Sequence, residues 1–352
     1  MEGILTGTCS WTDPALVSSG WYPRGRRDAE GRLRHYADHF PLVEVDSTYY
    51  GMPSARNSRL WAERTPDGFR FDVKAFSLLT GHPTRPAALP ADLRPALARH
   101  GGTRRTPADP AFLDEVWHRF AAALGPLRDA ARMGAVLFQL PPWAQPGPRT
   151  RAFVEECRAR TRGWRVAVEF RHPAWWAEGE RAGTAALLGD LGLAAVAVDT
   201  AAGLPGSLTP DVPVTSPALS VVRFHGRSAA WGTGGKEERF RHDYTEDELR
   251  EWLPRVRALA DRAAEVHVLF NNCCGDAAVR AAGTMGALLG QEARPAAPAE
   301  ARGTAGPRPR CRCPGGHGNG EAGHTGCDTN RPDRRSAPAT SGTGTQEASC
   351  PD

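Results

Sequence analysis

Lysine is nearly absent from this chain of 352 residues. Lysine and arginine together number 44, yet the only lysines are Lys74 and Lys236, so arginine serves as the general surface cation. The formal net charge is only +4, which predicts at most a weak general attraction to anions. Arginine is effectively always charged, whereas a desolvated lysine can lose its proton. Lys74, which lies in an apolar run, is therefore a candidate for base or nucleophilic chemistry.

Long apolar runs are also missing. No stretch approaches the roughly 18 to 20 residues that cross a bilayer, so the sequence predicts no membrane span. The first residues enter a strand pattern at once, and we expect no signal peptide. The cysteines of the part expected to fold lack the spacing of a disulfide framework: Cys9, Cys157, Cys273 and Cys274. We therefore expect reduced thiols and a cytoplasmic protein.

Eight short runs rich in Val, Leu and Phe alternate with helical patterns over residues 1–290. The clearest run is WRVAVEFRHPAWW, residues 164–176, in which alternating apolar residues lead to Glu169, Arg171 and His172. Repeated strand–helix units predict a parallel sheet, and eight strands are the number at which such a sheet closes into an (β/α)8 TIM-type barrel with long βα loops. The alternative is an open doubly wound sheet. It would normally carry a Gly-rich turn after the first strand, which the segment GTCSW does not provide.

The composition changes after residue 290. Residues 291–352 are rich in Gly, Pro and Arg and contain almost no large apolar side chain, so we expect a disordered tail beyond a barrel domain of residues 1–290. Several tail residues could in principle bind zinc: Cys311, Cys313, His317, His324 and Cys327. Because they lack paired CxxC spacing, we expect disorder and no metal there.

Polar residues follow the predicted strands at their C-terminal ends, where barrel proteins of this type form their sites. The candidates for catalysis are Glu169, Lys74 and His225. The candidates for ligand binding are Trp11, Glu44, Asp46, Gln139, Arg171, His172, Asp199, Arg223, Trp231, Asn271 and Asn272. Side chains alternate along a strand, so the two residues of each pair share one face. This places the pairs Glu44/Asp46, Asp72/Lys74 and Arg223/His225 inside the barrel. The alternative is a buried salt-bridge network, with the loop tryptophans serving only to cover the barrel.

At this point the sequence resembles a known family. The segments TGTCSW, WYP, VEVDSTYY, RFDVKA, VLFQLPP, VAVEFRHPAWW, VRFHG and VLFNN occur in the order found in the YecE-like family, domain of unknown function 72, over residues 3–289. The resemblance implies a TIM-barrel-like fold and no established biochemical activity. The sequence departs from the family's usual pattern at Asp46, where such proteins typically have Asn, so a role at that position does not transfer directly.

Two functions from different classes are compatible with these residues. The first is a hydrolase or lyase acting on a polar anionic ligand, such as a sugar phosphate, a nucleotide or a nucleic-acid end. Glu169 would be the general acid/base, Arg171 and Arg223 would hold the anion, and Lys74 and His225 would serve as an electrostatic or nucleophilic group and a proton carrier.

A metal-dependent version of that enzyme would use an oxygen/nitrogen ligand set: Glu44, Asp46, Glu169, Asp199 and His225. No close His/Asp doublet supports it, so we expect no metal, and the sequence identifies no cofactor. The second function is nucleic-acid binding without chemistry, through tryptophans and arginines in the loops. The arginines and the lysine concerned are Arg24, Arg26, Arg27, Arg104, Arg105, Arg227, Lys236, Arg239 and Arg241.

Overall fold

Eight parallel strands close into a barrel in the computed structural model, which describes residues 3–101, 108–272 and 274–291. Each strand pairs with its neighbours along the chain, and β8 pairs with β1. This confirms the predicted (β/α)8 barrel. The strands are β1 (Ile4–Cys9), β2 (Leu42–Val45), β3 (Arg70–Lys74), β4 (Met133–Gln139), β5 (Val166–Glu169), β6 (Ala194–Thr200), β7 (Ser220–Gly226) and β8 (Val266–Phe270).

Helices surround the barrel. Their apolar faces repeat at helical spacing, and several begin at a capping side chain, as Thr245 and Glu248 do for α10. The helices of the described residues are α1 (Pro14–Ser18), α2 (Ala29–His39), α3 (Ser47–Tyr50), α4 (Ala55–Glu63), α5 (Arg94–His100), α6 (Pro110–Asp129), α7 (Pro148–Arg160), α8 (Glu178–Asp190), α9 (Lys236–Phe240), α10 (Glu246–Ala260) and α11 (Ala277–Leu288). None of these is long and apolar enough to cross a membrane. The connection between β6 and β7, which is rich in Gly and Pro, contains no helix.

The barrel interior is divided into three layers. Its middle is apolar and contains Leu42, Leu137, Val198, Val221 and Leu269, all buried. Because side chains alternate along a strand, the intervening residues face outward and join the larger core beneath the helices. The ends of the barrel above and below the apolar middle are polar, and the upper layer lies at the C-terminal ends of the strands.

Two strands approach closely at Gly7, which lies opposite Leu42 in the β1–β2 ladder. A Cβ atom at Gly7 would lie 2.0 Å from the carbonyl oxygen of Leu42, a distance that no side chain could adopt without moving the backbone. Glycine at this position therefore lets the barrel close, and it brings Cys9 and Glu44 side by side at the upper end.

The lower polar layer joins β3, β8 and β5. His267 Nδ1 lies 2.8 Å from Asp72 Oδ2, and its Nε2 lies 3.3 Å from Glu265 Oε2, which also pairs with Arg165. Despite burial, which acts in the opposite direction, Asp72 raises the pKa of His267 to about 9. The hydrogen bond from His267 lowers the pKa of Glu265 to about 2. Asp72 thus faces inward as predicted, but it belongs to the layer opposite that of Lys74.

The tail predicted for residues 291–352 lies outside the described residues, apart from Gln291. Gln291 Nε2 donates to the carbonyl oxygen of Ile4, and its Oε1 accepts from Thr6 Oγ1. These bonds fasten the end of the last helix to the first strand.

Candidate functional site

Glu169 lies at the centre of the upper polar layer, at the end of β5, and its side chain is fully buried. Its two oxygens accept from Gln139 Nε2 at 2.7 Å, Arg171 Nη1 at 2.9 Å and Arg223 Nη1 at 2.5 Å, and Oε1 lies 3.0 Å from His225 Nε2. Burial alone would raise its pKa, but Arg223 and the other donors hold the pKa of Glu169 well below its usual range. The lowered pKa favours the ionised carboxylate, and its acceptor sites are occupied, so neither half of the predicted general acid/base role is favoured by these contacts.

Arg223 connects Glu169 to β2 across the barrel. Its Nε and Nη2 donate to Glu44 at 2.9 and 2.6 Å, while Nη1 donates to Glu169. Nη2 also lies 3.5 Å from the sulfur of Cys9. Arg223 is completely buried and all its inward donors are used, so it is the internal counter-ion of two carboxylates and not a free anion-binding group.

Glu44 is the carboxyl of the layer that takes up a proton most readily. Burial raises its pKa, Arg223 opposes the change and Asp46 adds to it, with a net rise to about 8. Both oxygens of Glu44 accept from Arg223, which is the arrangement of an ionised carboxylate paired with a guanidinium. Burial and Glu44 also raise the pKa of the Cys9 thiol well above its usual value, so Cys9 is not an activated nucleophile.

Lys74 is charged in this structure. Its Nζ lies 3.2 Å from Asp46 Oδ1 and 4.8 Å from the centre of the Tyr49 ring, and its side chain is only 8% exposed. Burial lowers its pKa, but the attraction of Asp46 is stronger and the net pKa is raised. The raised pKa does not favour the neutral lysine that a base or nucleophile requires. The partner of Lys74 is a carboxylate that the scarcity of lysine could not reveal.

His225 is neutral and holds one tautomer. Burial, together with Arg223 and Arg171, lowers its pKa to about 4. Its Nδ1 lies 3.0 Å from Asn271 Nδ2, which is a donor, so Nδ1 accepts and Nε2–H donates to Glu169. Both nitrogens are thereby used within the cluster, and His225 orients Glu169 without facing a free space of its own.

The rim of the mouth contains a cation with free donors. The guanidinium of Arg171 lies 5.1 Å from the centre of the Trp231 ring, and only its Nη1 contacts Glu169. Nε and Nη2 have no hydrogen-bond partner among the described residues. Trp231 is held by a bond from its Nε1 to the carbonyl oxygen of Gly206 and by packing on His225 and Phe240. The ring thus forms a fixed platform for the guanidinium.

His82 also belongs to the mouth, although no periodic pattern in the sequence selects it. It follows the 3-10 helix Ser77–Thr80 in the loop after β3, and its ring centre lies 5.3 Å from that of Tyr49 and 5.7 Å from that of Trp143. Burial and the charges of Lys74 and Arg171 lower its pKa to about 4. Its position at the C-terminal side of a barrel strand was the only available signal.

Two of the expected site residues lie on the outer side of the barrel. Trp11 is 6% exposed and packs edge-on against Trp61 and Phe71 beneath α4. Asp199 binds Arg227 and accepts from Trp252 Nε1 at 2.8 Å and from Tyr244. The sequence placed both residues near strand ends, but strand and loop geometry turn their side chains toward the helices.

Two further candidates are occupied by local bonds. His172 Nδ1 accepts from the backbone N–H of Ala174 and so caps the 3-10 helix Pro173–Trp176. Asn272 Nδ2 donates to the carbonyl oxygen of His242 at 2.9 Å, on the outer face of the last strand. The structure therefore brings together Glu44, Asp46, Lys74, Gln139, Glu169, Arg171, Arg223, His225, Trp231 and Asn271, with His82 and Tyr49 added.

No group of three or more His, Cys, Asp or Glu side chains among residues 3–101, 108–272 and 274–291 has the geometry of a metal site. In the upper layer the carboxylates are bound to Arg223, Lys74 and Arg171, and these cations occupy the places that a metal ion would need. The zinc candidates of the tail lie outside the described residues.

The chain is a (β/α)8-barrel protein of a known family. A family model described as "Protein of unknown function DUF72" matches residues 5–304, so the chain belongs to the DUF72 family and the YecE-like resemblance is confirmed. Its relatives include the UPF0759 protein YunF of Bacillus subtilis (strain 168), 28% identical over 77% of this chain and 89% of YunF. The UPF0759 protein YecE of Escherichia coli (strain K12) is 29% identical over 50% of this chain and 52% of YecE.

Solved structures of the same family share the fold. A DUF72 family protein of Thermotoga maritima superposes with a TM-score of 0.66 at 26% identity, over 82% of this chain and all of that one. A DUF72 family protein of Enterococcus faecalis gives a TM-score of 0.63 at 26% identity, over 74% of this chain and 94% of that one.

Proposed function

We propose that the barrel mouth binds a polar anionic ligand and that the protein is a hydrolase or lyase acting on it. The observation that carries this proposal is the free edge of Arg171. Two of its nitrogens have no partner among the described residues, its plane is fixed on Trp231, and its Nη1 is fixed on Glu169. A guanidinium held in this way is prepared to bind a phosphate or carboxylate in a bidentate manner.

Aromatic rings beside this cation restrict the class of ligand. Trp231 lies on one side of the mouth, while Tyr49 and Trp143 flank His82 on the other. Flat rings of this kind bind the faces of sugars and bases, so the arrangement suits an anion attached to a ring. A sugar phosphate, a nucleotide or a nucleic-acid end all have this form.

The side chains of the upper layer suit electrostatic stabilisation better than proton transfer or nucleophilic attack. Glu169 and His225 are buried and fully bonded, so they position Arg171, whereas Lys74 supplies a fixed positive charge. Positive charges placed where negative charge develops stabilise the transition states of phosphoryl and acyl transfer. Hydrolysis or elimination at an anionic centre therefore agrees with this site better than nucleophilic catalysis by Lys74.

The alternative of a nucleic-acid-binding protein without chemistry has less support. Arg227 is bound to Asp199 and Glu251, and Arg26 lies 3.5 Å from Asp38, so these two arginines already have partners. Arg104 and Arg105 lie outside the described residues. A short nucleic-acid end in the mouth remains one form of the proposed anionic ligand.

The proposal is tested by calorimetric titration with sulfate, ribose 5-phosphate and adenosine monophosphate, comparing wild type with Arg171→Gln. Charge-assisted hydrogen bonds contribute roughly 1.5–3 kcal/mol. We therefore expect the affinity of Arg171→Gln for these anions to be about 10- to 100-fold lower than that of wild type. The matched control is Arg255→Gln. Arg255 also packs on a tryptophan, with its guanidinium 5.5 Å from the centre of the Trp252 ring, but it belongs to α10 and not to the mouth. Its affinity should equal that of wild type.

Native mass spectrometry of protein purified from cells would identify a ligand retained in the mouth, and turnover of that ligand would then be measured directly. If none of the three anions binds, or if both glutamine variants bind as wild type does, the proposed function is wrong. If the retained ligand binds through Arg171 but is never converted, the site only binds.

A further inference from the structure

The hydrogen bonds of His82 determine its tautomer. Thr80 Oγ1 lies 2.9 Å from the carbonyl oxygen of Ser77, which can only accept, so the single hydroxyl proton of Thr80 is used there. Thr80 Oγ1 also lies 2.8 Å from His82 Nδ1 and must act as the acceptor in that bond. Nδ1 therefore carries the proton, and Nε2 has an unshared electron pair with no hydrogen-bond partner among the described residues.

The surroundings of this ring belong to the mouth. Tyr49 of α3 and Trp143 after β4 contact it edge-on, which restricts its orientation. The charged groups that act on it are Lys74 of β3 and Arg171 beyond β5, and both are positive. With no carboxylate among these groups, a positive charge on His82 is disfavoured as long as the mouth contains no anion.

We propose that His82 is the proton acceptor of the barrel mouth, and that it takes up a proton when an anionic ligand occupies Arg171 and Lys74. This inference rests on the proposed function, since it requires an anion at that site. Nε2 would accept the proton of a ligand hydroxyl or of a water molecule, and the oxygen would keep the electron pair of the broken O–H bond.

The coupling follows from charge alone. Burial is the main reason why the pKa of His82 is as low as about 4, and the charges of Lys74 and Arg171 lower it further. A bound anion offsets the part that comes from these two charges and so raises the pKa of His82 above that value. By linkage, anions must then bind more tightly to the form with protonated His82, so their affinity rises as the pH falls. The imidazole of His82 is thus neutral when the mouth is empty, and its pKa is higher when an anion is bound.

The experiment is a pH titration of 15N-histidine-labelled protein by NMR between about pH 5 and pH 8, with and without saturating sulfate. Sulfate is the probe because it does not change its charge in this range, and His82→Gln assigns the signal. Without sulfate we expect the neutral tautomer with the proton on Nδ1 throughout. With sulfate we expect protonation to begin inside the window, while the buried His267 of the lower layer does not respond.

Calorimetric titration with sulfate provides the second arm. His82→Gln should still bind sulfate but should lose most of the pH dependence between about pH 5 and pH 7. The pKa of Glu44 is raised to about 8, so Glu44 also titrates near this range. The pH dependence of sulfate binding that remains in His82→Gln is assigned to Glu44. Thr80→Val, which removes the acceptor of the Nδ1–H bond, should shift the tautomer of His82 and leave the Arg171 contact intact.

The outcomes separate this inference from the function on which it rests. If sulfate binds through Arg171 and the titration of His82 does not move, the inference is wrong and the proposed site remains. An empty-state tautomer with the proton on Nε2 also overturns it. If sulfate alone fails to bind, the proton acceptor is rejected, and if ribose 5-phosphate and adenosine monophosphate also fail to bind, the site is rejected with it.

Discussion

The barrel has two polar layers, and they differ in whether their hydrogen-bonding groups are used up. In the lower layer His267 is bound on both nitrogens, by Asp72 and by Glu265, which also binds Arg165. In the upper layer Glu169 and Arg223 are equally saturated, but Arg171 at the rim retains donors that have no partner in the described part of the chain. Buried ion pairs alone therefore do not mark a site. The useful sign is a charged or polar atom that the layer orients and leaves without a partner.

Tryptophans in the strand-to-helix loops also differ in what they contact. Trp11 packs on the outer core, where it fills space between β3 and α4. Trp231 lies over Arg171 and has its indole N–H bound to a backbone carbonyl. The same residue type in a strand-to-helix loop is thus structural in one case and part of the mouth in the other, depending on which side of the barrel the loop folds toward.

The largest effect is expected from breaking the upper network at its centre. Arg223→Met leaves Glu44 and Glu169 buried without their shared counter-ion, and removing one partner of a buried pair costs roughly 3–5 kcal/mol. Urea unfolding of the purified variant measures this loss. The matched control is Arg250→Met, whose exposed pair with Glu246 should contribute less than about 0.5 kcal/mol. Equal stability of the two variants would contradict the assigned role of Arg223.

The lower layer should make stability depend on pH. The pKa of His267 is raised to about 9 in the folded state, above its ordinary value of about 6.5. The protonated form is therefore favoured by folding, and its contribution is fully present below about pH 6.5 and lost as the pH rises through about 9. The difference between these two pKa values corresponds to roughly 3 kcal/mol for a group buried this deeply.

The measurement is the difference in free energy of unfolding between wild type and His267→Asn, taken from about pH 6 to pH 10. Asn can still donate to Asp72 but cannot titrate, so the difference should shrink as the pH rises. Glu44, whose pKa is raised to about 8, also reduces stability with rising pH, and it does so in both proteins. A difference that stays constant over this range would show that His267 is not charged in the folded state.

The sequence was sufficient for the fold and for most members of the upper layer. The eight alternating units determine the closed barrel, and strand alternation correctly placed Glu44, Lys74 and Arg223 inside it. It could not give the depth of Asp72, because residues two apart on a strand share a face yet lie in different layers. Partners across the barrel are also absent from the sequence, since they depend on register and closure.

The loops were the least predictable part. His82 was missed because it lies in no periodic pattern, and its importance comes from neighbours on four different elements: α3, β3, the loop after β4 and the loop after β5. His172 was selected because it follows β5 directly, but a proline-started helical turn recruits its ring as a cap. Local sequence predicts which residues end a strand, and the path of the following loop decides what they contact.

The smallest effect on stability and on sulfate affinity is expected for Lys74→Arg. This substitution tests whether Lys74 acts only through its positive charge. In the structure Lys74 acts as a charge bound to Asp46 and packed on Tyr49, and arginine can make both contacts. We therefore expect a loss of stability below about 1 kcal/mol and sulfate affinity within about threefold of wild type. Lys74→Met is the matched variant: it leaves Asp46 without its cation and should weaken sulfate binding clearly. If Lys74→Arg folds normally but abolishes turnover of the retained ligand, a deprotonated lysine takes part in the reaction, and the charge-only role argued for Lys74 is wrong.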